Sequence, residues 1–187
     1  MQTLQFKTPA EFRVWLEKNH KESEGIWLRI FKKDAQEESV TYAEALDQAL
    51  CYGWIDGQKK SFDTLSWVQR FTPRRAKSVW SKINTQHVER LINAGSMTPA
   101  GMEAVEAAKT DGRWEAAYAS PKSATPPEDF LVALSKNKKA EAFFKTLNKT
   151  NVFSIVYRLE TAKKPETRDK RMKAILAMME QGKAFHP

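Results

Sequence analysis

Four threonines stand where helices can begin, and they divide the 187-residue chain into segments before any other signal is needed. Thr8-Pro9-Ala10-Glu11 reads as N-cap, first-turn proline and reciprocal glutamate, followed by Phe12, Trp15 and Leu16 at the spacing of one helix face. Thr41 and Glu44 form a second such box ahead of Leu46, Ala49 and Leu50, and Gly53 stops that run. Thr98-Pro99 starts a helix that turns Met102 and Val105 inward, and Thr125 with Glu128 caps another. A side-chain hydroxyl at such a position accepts from a backbone N–H that the helix leaves unsatisfied, so it marks a boundary.

Between the first two boxes, Gly25 opens IWLRIFKK, where Ile26, Leu28 and Ile30 alternate with Trp27, Arg29 and Phe31. That alternation predicts a strand with both faces partly apolar. WIDGQKK and LSWVQRF, separated by Ser61-Phe62-Asp63-Thr64, predict an antiparallel hairpin. Asp56-Gly57 is itself a turn signal, which leaves the register open. Val88, Leu91 and Ile92 mark a helix ending at Gly95, and residues 111–127, with three of the eight prolines, read as a linker. Beyond it come Phe143, Phe144 and Leu147; Val152, Ile155, Val156 and Leu159; and Met172, Ile175, Leu176 and Met179, all at helical spacing. The expected fold class is α+β: a small antiparallel sheet packed with helices over residues 1–124, followed by an all-helical C-terminal region over 125–187.

Composition excludes some classes of protein. With 41% hydrophobic and 29% charged residues, the chain has no apolar run near the ~20 residues of a membrane helix, so no membrane insertion is expected. The start, MQTLQFKTPAEF, has no apolar export core, which points to a cytoplasmic location. A single cysteine, Cys51, can form no internal disulfide. The net charge of +8 is unevenly spread: residues 1–58 carry −3, 59–90 carry +6, 91–135 carry −3 and 136–187 carry +8. Two basic segments that alternate with acidic ones are what faces meeting anions require, although lysines on solvated helix faces produce the same run.

The basic middle segment is the richest in chemistry. Arg70, Arg74 and Arg75 offer planar guanidinium forks, Lys77 a point charge, and Ser78 and Ser81 hydroxyl donors, a set suited to phosphate or carboxylate. Trp54 and Trp80 are placed to stack on a base, a sugar or an acyl group, or to fill the core. Pro73 biases Thr72 toward extended geometry and so presents Arg74 at a turn. Asp56 beside Trp54 is the one candidate base, or else an ion-pair partner for an arginine. The ligand-binding candidates are therefore Trp54, Asp56, Arg70, Arg74, Arg75, Lys77, Ser78 and Trp80. Catalytic inventory is thin. His20, His87 and His186 are scattered outside any metal-ligand spacing, and GxGxxG, GxxxxGK[ST] and GxSxG are all missing from the sequence. Cys51 sits in the apolar ALCYGW stretch, where a small core residue is expected. No cofactor and no metal are expected.

Taken in order, CYGWIDG, RFTPRRAKSVWSKIN and AKKPETRDKRMKAILAMMEQGK resemble the YdeI/OmpD-associated proteins, also called bacteriocin-protection proteins, over nearly the whole chain. The matching positions are Gly53, Trp54, Ile55, Asp56 and Gly57; then Arg70, Phe71, Thr72, Pro73, Arg74, Ser78, Trp80, Ser81 and Asn84; then Ala162, Lys163, Thr167, Arg168 and Arg171. The resemblance implies a link to resistance against bacteriocins or cationic antimicrobial peptides and no accepted enzymatic activity. It also implies envelope partnership, against which the missing export signal argues.

Three readings follow from the sequence. The first is a cytoplasmic binding module for an anionic small molecule or envelope precursor. The second is a nucleic-acid-binding protein using residues 59–90 and the final helices, and the third is an enzyme centred on Asp56 and Arg74. In the last helix Arg168 and Arg171 lie three residues apart on one face, so they are expected to hold an acidic partner jointly, with residues 103–115 as one source.

Overall fold

The computed structural model describes residues 1–119 and 124–187, and the part of the expected linker at 120–123 lies outside the described residues. The chain divides into two compact units. The first comprises residues 1–80 and 84–116, the second residues 81–83 and 117–187.

Within the first unit the threonine signals act as read. Thr8 accepts from Glu11 N at the head of α1 (Pro9–Asn19), and Thr41 and Glu44 complete a reciprocal box at the head of α2 (Tyr42–Cys51). The sheet combines β1 (Gln2–Leu4), β2 (Ile26–Phe31), β3 (Trp54–Ser61) and β4 (Ser66–Pro73) in the order β1-β2-β4-β3. Both β2 and β3 run antiparallel to β4, as the patterning predicts. β1 carries no strand signal of its own and pairs parallel to β2, which makes the sheet mixed at that edge.

The hairpin turns between Ser61 and Ser66, where the Asp63 carboxylate accepts from Leu65 N and Ser66 Oγ. Asp56-Gly57 is therefore not the turn; the ladder register shifts between Asp56 and Lys59. Ile26, Leu28 and Phe71 share the sheet face that meets α1, where Phe12 and Phe71 lie 5.8 Å apart, ring to ring. Phe12, Leu16, Leu28 and Phe71 are fully buried, each contributing about 1.5–3 kcal/mol of hydrophobic stabilisation.

Two further helices complete the unit, α3 (Lys82–Asn93), whose first two residues belong to the second unit, and α4 (Pro99–Thr110). Asp47 of α2 receives His87 Nδ1 at 2.9 Å and Arg90 at 2.6 Å from α3. Thr98 caps α4 as read, accepting from Gly101 N, and Val105 is buried while Met102 is half-buried. At α4's first turn the backbone comes against the end of α2, and a Cβ on Gly101 would overlap the Cys51 carbonyl.

The second unit holds α5 (Glu128–Ser135), α6 (Lys138–Phe144), α7 (Lys149–Glu160) and α8 (Pro165–Glu180). Phe130, Leu134, Ala140, Ile155, Leu159, Ile175 and Met179 form its core. Helix α5 departs from expectation. Its N-cap is Pro127 and it has no side-chain cap bond, so Thr125 does not cap it. The two prolines that follow Thr125 carry the chain extended past the threonine before the helix can begin. Arg168 pairs with Asp129 at 2.7 Å, whereas Arg171 donates to the Arg158 carbonyl at 2.7 Å. The two arginines therefore do not share an acidic partner, and the partner of Arg168 comes from α5 instead of residues 103–115.

Because Gly101 abuts a backbone carbonyl that cannot rotate away, Gly101→Ala is expected to cost about 3 kcal/mol, at the upper end of typical overpacking penalties. Urea unfolding of the variant beside the wild type measures it.

Candidate functional site

Helix α2 ends at a turn in which Gly53 adopts φ +72°, a conformation that favours glycine, and Trp54 then starts β3. The carbonyl of Gly53 accepts from Arg74 N at 2.9 Å, so the chain leaving β4 is tied to the chain entering β3. Past Pro73 the segment folds on itself, with Ser78 N donating to the Arg75 carbonyl at 2.9 Å. The Arg74 guanidinium lies 3.5 Å from the centre of the Trp80 ring and donates to Ser78 Oγ (3.4 Å) and to the Val79 carbonyl (3.3 Å).

From behind, Trp114 packs against Trp80 at 5.0 Å between ring centres, and Arg113 donates to the Ser78 carbonyl at 2.9 Å. Arg113 Nε also meets both oxygens of Asp111 at 2.7 Å. Residues 111–114, expected to belong to a linker, are thus built into the wall that supports Trp80.

These elements enclose a cavity of about 300 Å³ lined by Trp54, Arg74, Arg75, Trp80 and Arg113, with Tyr52, His20, Glu103 and the small residues Ala100 and Ala104 closing it. Three guanidiniums therefore face one concavity whose lining holds a single carboxylate, that of Glu103. Trp80 is 2% exposed, and its indole Nε1 is buried without a hydrogen-bond partner among the described residues. A buried indole N–H normally has a partner, and leaving one unmade costs about 1–3 kcal/mol. Trp54 is as deeply buried but differs in this respect, because its Nε1 donates to the His20 carbonyl at 3.1 Å and its ring meets Trp15 edge-on at 5.8 Å.

Of the residues singled out from sequence, Trp54, Arg74, Arg75 and Trp80 come together in this lining. Ser78 stands behind it, holding Arg74 through its hydroxyl and Arg113 through its carbonyl. Lys77 is exposed and outside the lining. Asp56 lies elsewhere on β3, where its carboxylate accepts from the Tyr42 hydroxyl at 2.9 Å. Burial and then the Asp56 charge push the Tyr42 phenol well above its usual range. Arg70 also lies elsewhere, opposite Trp27 in the sheet register. Cys51 is buried, which pushes its thiol up and keeps it protonated near neutrality.

Sequence reasoning missed Arg113, Tyr52 and Glu103. Arg113-Trp114 carried a usable signal, an arginine next to a tryptophan, but the surrounding small residues and prolines hid it. Among the described residues no group of three His, Cys, Asp or Glu side chains is placed to hold a metal ion.

Two family models match the chain. Residues 4–104, more than half its length, match a domain of unknown function (DUF8412), and residues 123–182 match the family described as Bacteriocin-protection, YdeI or OmpD-Associated. The chain belongs to the first family, and its residues 123–182 carry the match to the YdeI/OmpD-associated family. The second match is shorter than the sequence resemblance, since CYGWIDG and RFTPRR fall within residues 4–104. Neither a curated protein nor a solved structure matches the chain.

The buried ring and the exposed cation of this site should separate in a stability experiment. Trp80→Ala is expected to lose about 3–5 kcal/mol in denaturant unfolding, the usual cost of deleting a core aromatic. Arg75→Ala, at an exposed position, is expected to stay within about 0.5 kcal/mol of wild type.

Proposed function

We propose that this protein is a cytoplasmic binding module for an anionic small molecule, seated in the cavity walled by Arg74, Arg75, Arg113 and Trp80. One observation carries the reading: the guanidinium-bearing side chains of Arg74, Arg75 and Arg113 line a single concavity beside the buried Trp80. A phosphate or carboxylate suits a lining of this charge, and a volume of about 300 Å³ suits a ligand of metabolite size. Binding, not catalysis, is the reading, because His20 in the lining meets the Leu16 carbonyl through Nδ1, no hydrogen bond among the described residues joins it to Glu103, and the one sequence-level base candidate, Asp56, accepts from Tyr42 outside the lining. An envelope precursor is one anion of this class. A role in resistance to bacteriocins or cationic antimicrobial peptides draws its support from the family description of the C-terminal region.

A second reading draws on the outer sheet face. Trp27, Arg70 and Lys60 share that face by register, and the Lys60 ammonium lies 4.6 Å from the Trp27 ring. Cations interleaved with an aromatic favour single-stranded nucleic acid. Salt separates the readings, since phosphate-backbone binding weakens by orders of magnitude between low and moderate salt and a single-anion pocket does not.

The test is a melting experiment with phosphates, sugar phosphates, nucleotides and carboxylates. A ligand present at 100 times its Kd raises stability by about 2.7 kcal/mol. Arg75→Glu is expected to abolish that rise while leaving the ligand-free melt unchanged. No stabilisation by any member of the panel, or stabilisation that survives the charge reversal, would remove the reading.

A further inference from the structure

The second unit contains a cavity of about 570 Å³ between α7, α8 and the C-terminal tail. Its walls are mostly apolar, formed by Ile175, Met178, Ala174 and Phe185, and two guanidiniums, Arg158 and Arg171, enter it beside Tyr157 and Thr161. The tail that brings in Phe185 is fastened. His186 exchanges hydrogen bonds with Asn151 through N (3.0 Å) and O (3.2 Å), and its Nε2 meets Ser154 Oγ at 2.9 Å. Phe185 thus forms a fixed wall, and the Arg158 guanidinium rests 4.0 Å from the centre of its ring.

The two arginines are distinguished by their counter-ions. Arg168, one turn away on α8, is neutralised by Asp129. The hydrogen bonds of Arg158 and Arg171 end instead on neutral oxygens: Arg158 on the Ser154 carbonyl, Arg171 on the Arg158 carbonyl and on Thr161 Oγ1. Neither is in an ion pair among the described residues, and no carboxylate lines the cavity. Two half-buried cations in apolar surroundings are costly unless an anion meets them. A guanidinium that gives one N–H to a carbonyl retains others in a planar fork, the geometry that carboxylate and phosphate fit. The +8 charge of residues 136–187 draws anions to this unit.

We propose that this cavity is a binding site for an amphipathic organic anion, a single carboxylate or phosphate head joined to an apolar body. The head sits between Arg158 and Arg171, and the body lies along Ile175, Met178 and Phe185. The site is separate from the cavity at Arg74 and does not depend on the reading given for it.

Full-length protein is titrated with decanoate and decyl phosphate below their micellar concentrations, by calorimetry and by melting. The controls are decanol, decyltrimethylammonium and inorganic phosphate. The expected result is one-to-one binding of the two anionic amphiphiles with a raised melting temperature, and no comparable effect of the controls.

Arg158→Met keeps an apolar stem against Phe185 and removes the charge, and is expected to weaken binding at least about tenfold, the value of one charge-assisted hydrogen bond. Ala174→Trp, at an exposed helix position that lines the opening, is expected to block binding with the ligand-free melt preserved. Because Arg171 also caps the end of α7, it is not the diagnostic variant. Equal binding of decanol, equal binding of inorganic phosphate, or binding untouched by Ala174→Trp would each overturn the proposal.

Discussion

The backbone carbonyls of Cys51 and Gly53 hold the first unit in register. The carbonyl of Cys51 accepts from both Thr98 N (3.1 Å) and Thr98 Oγ1 (2.6 Å), and it leaves no room for a side chain at Gly101. The start of α4 is therefore fixed to the end of α2 by backbone contact, which side-chain repacking cannot relax. Two residues on, the Gly53 carbonyl fixes the exit of β4 through Arg74 N. Ala100 and Ala104 on one side and Trp54 and Arg74 on the other are positioned by this one turn, so the cavity they enclose follows from its geometry. Small residues on α4 are what let the two walls approach.

Charge in this protein is repeatedly laid on rings. Arg74 covers Trp80, Arg158 covers Phe185, Lys59 covers Trp67 and Lys60 covers Trp27, at 3.5–4.6 Å from the ring centres. A ring face offsets part of the desolvation of a cation without occupying its N–H donors in the way a carboxylate does. The contrast is with Arg90 and Arg168, which pair with Asp47 and Asp129, while Arg29 does both, lying over Phe31 and Phe62 and pairing with Asp63. Net charge cannot separate these two populations. Arg158, resting on a ring and in no ion pair among the described residues, is available to an external anion in a way that Arg90 and Arg168, each on both oxygens of an aspartate, are not.

The distinction also explains how much could be read from the sequence. Thr8, Thr41 and Thr98 act on amides three residues away, and the alternation in IWLRIF needs no partner to be visible, so helix starts and the central strand were legible. The parallel pairing of β1 depends on β2, more than twenty residues on, and left no local trace. Thr125 failed as a cap because the two prolines after it move the helix start, a competition between two local signals that was decided by backbone geometry. Within the candidate site, Arg74, Arg75 and Trp80 were found because they lie in one short run. Arg70 was grouped with them by proximity in sequence, although strand alternation sends it to the face opposite Phe71. Arg113 was missed for the converse reason, being brought to Ser78 across 35 positions.

The two cavities differ in what they can exclude, and that difference follows from their linings. The one in the first unit has three arginines and a glutamate lining about 300 Å³, so a guest must satisfy several polar groups in a small space. Leaving any of them unpaired is penalised, and polar guests of the wrong shape are rejected. The cavity in the second unit is nearly twice as large, with two guanidiniums at one place and an apolar wall over the rest. An apolar wall discriminates weakly, since each methylene contributes only about 0.8 kcal/mol and no buried donor is left unmatched by a shorter or longer body. Selectivity there resides in the head and tolerance in the body. On the two proposals made above, the first cavity recognises a particular anion and the second accepts a class of them.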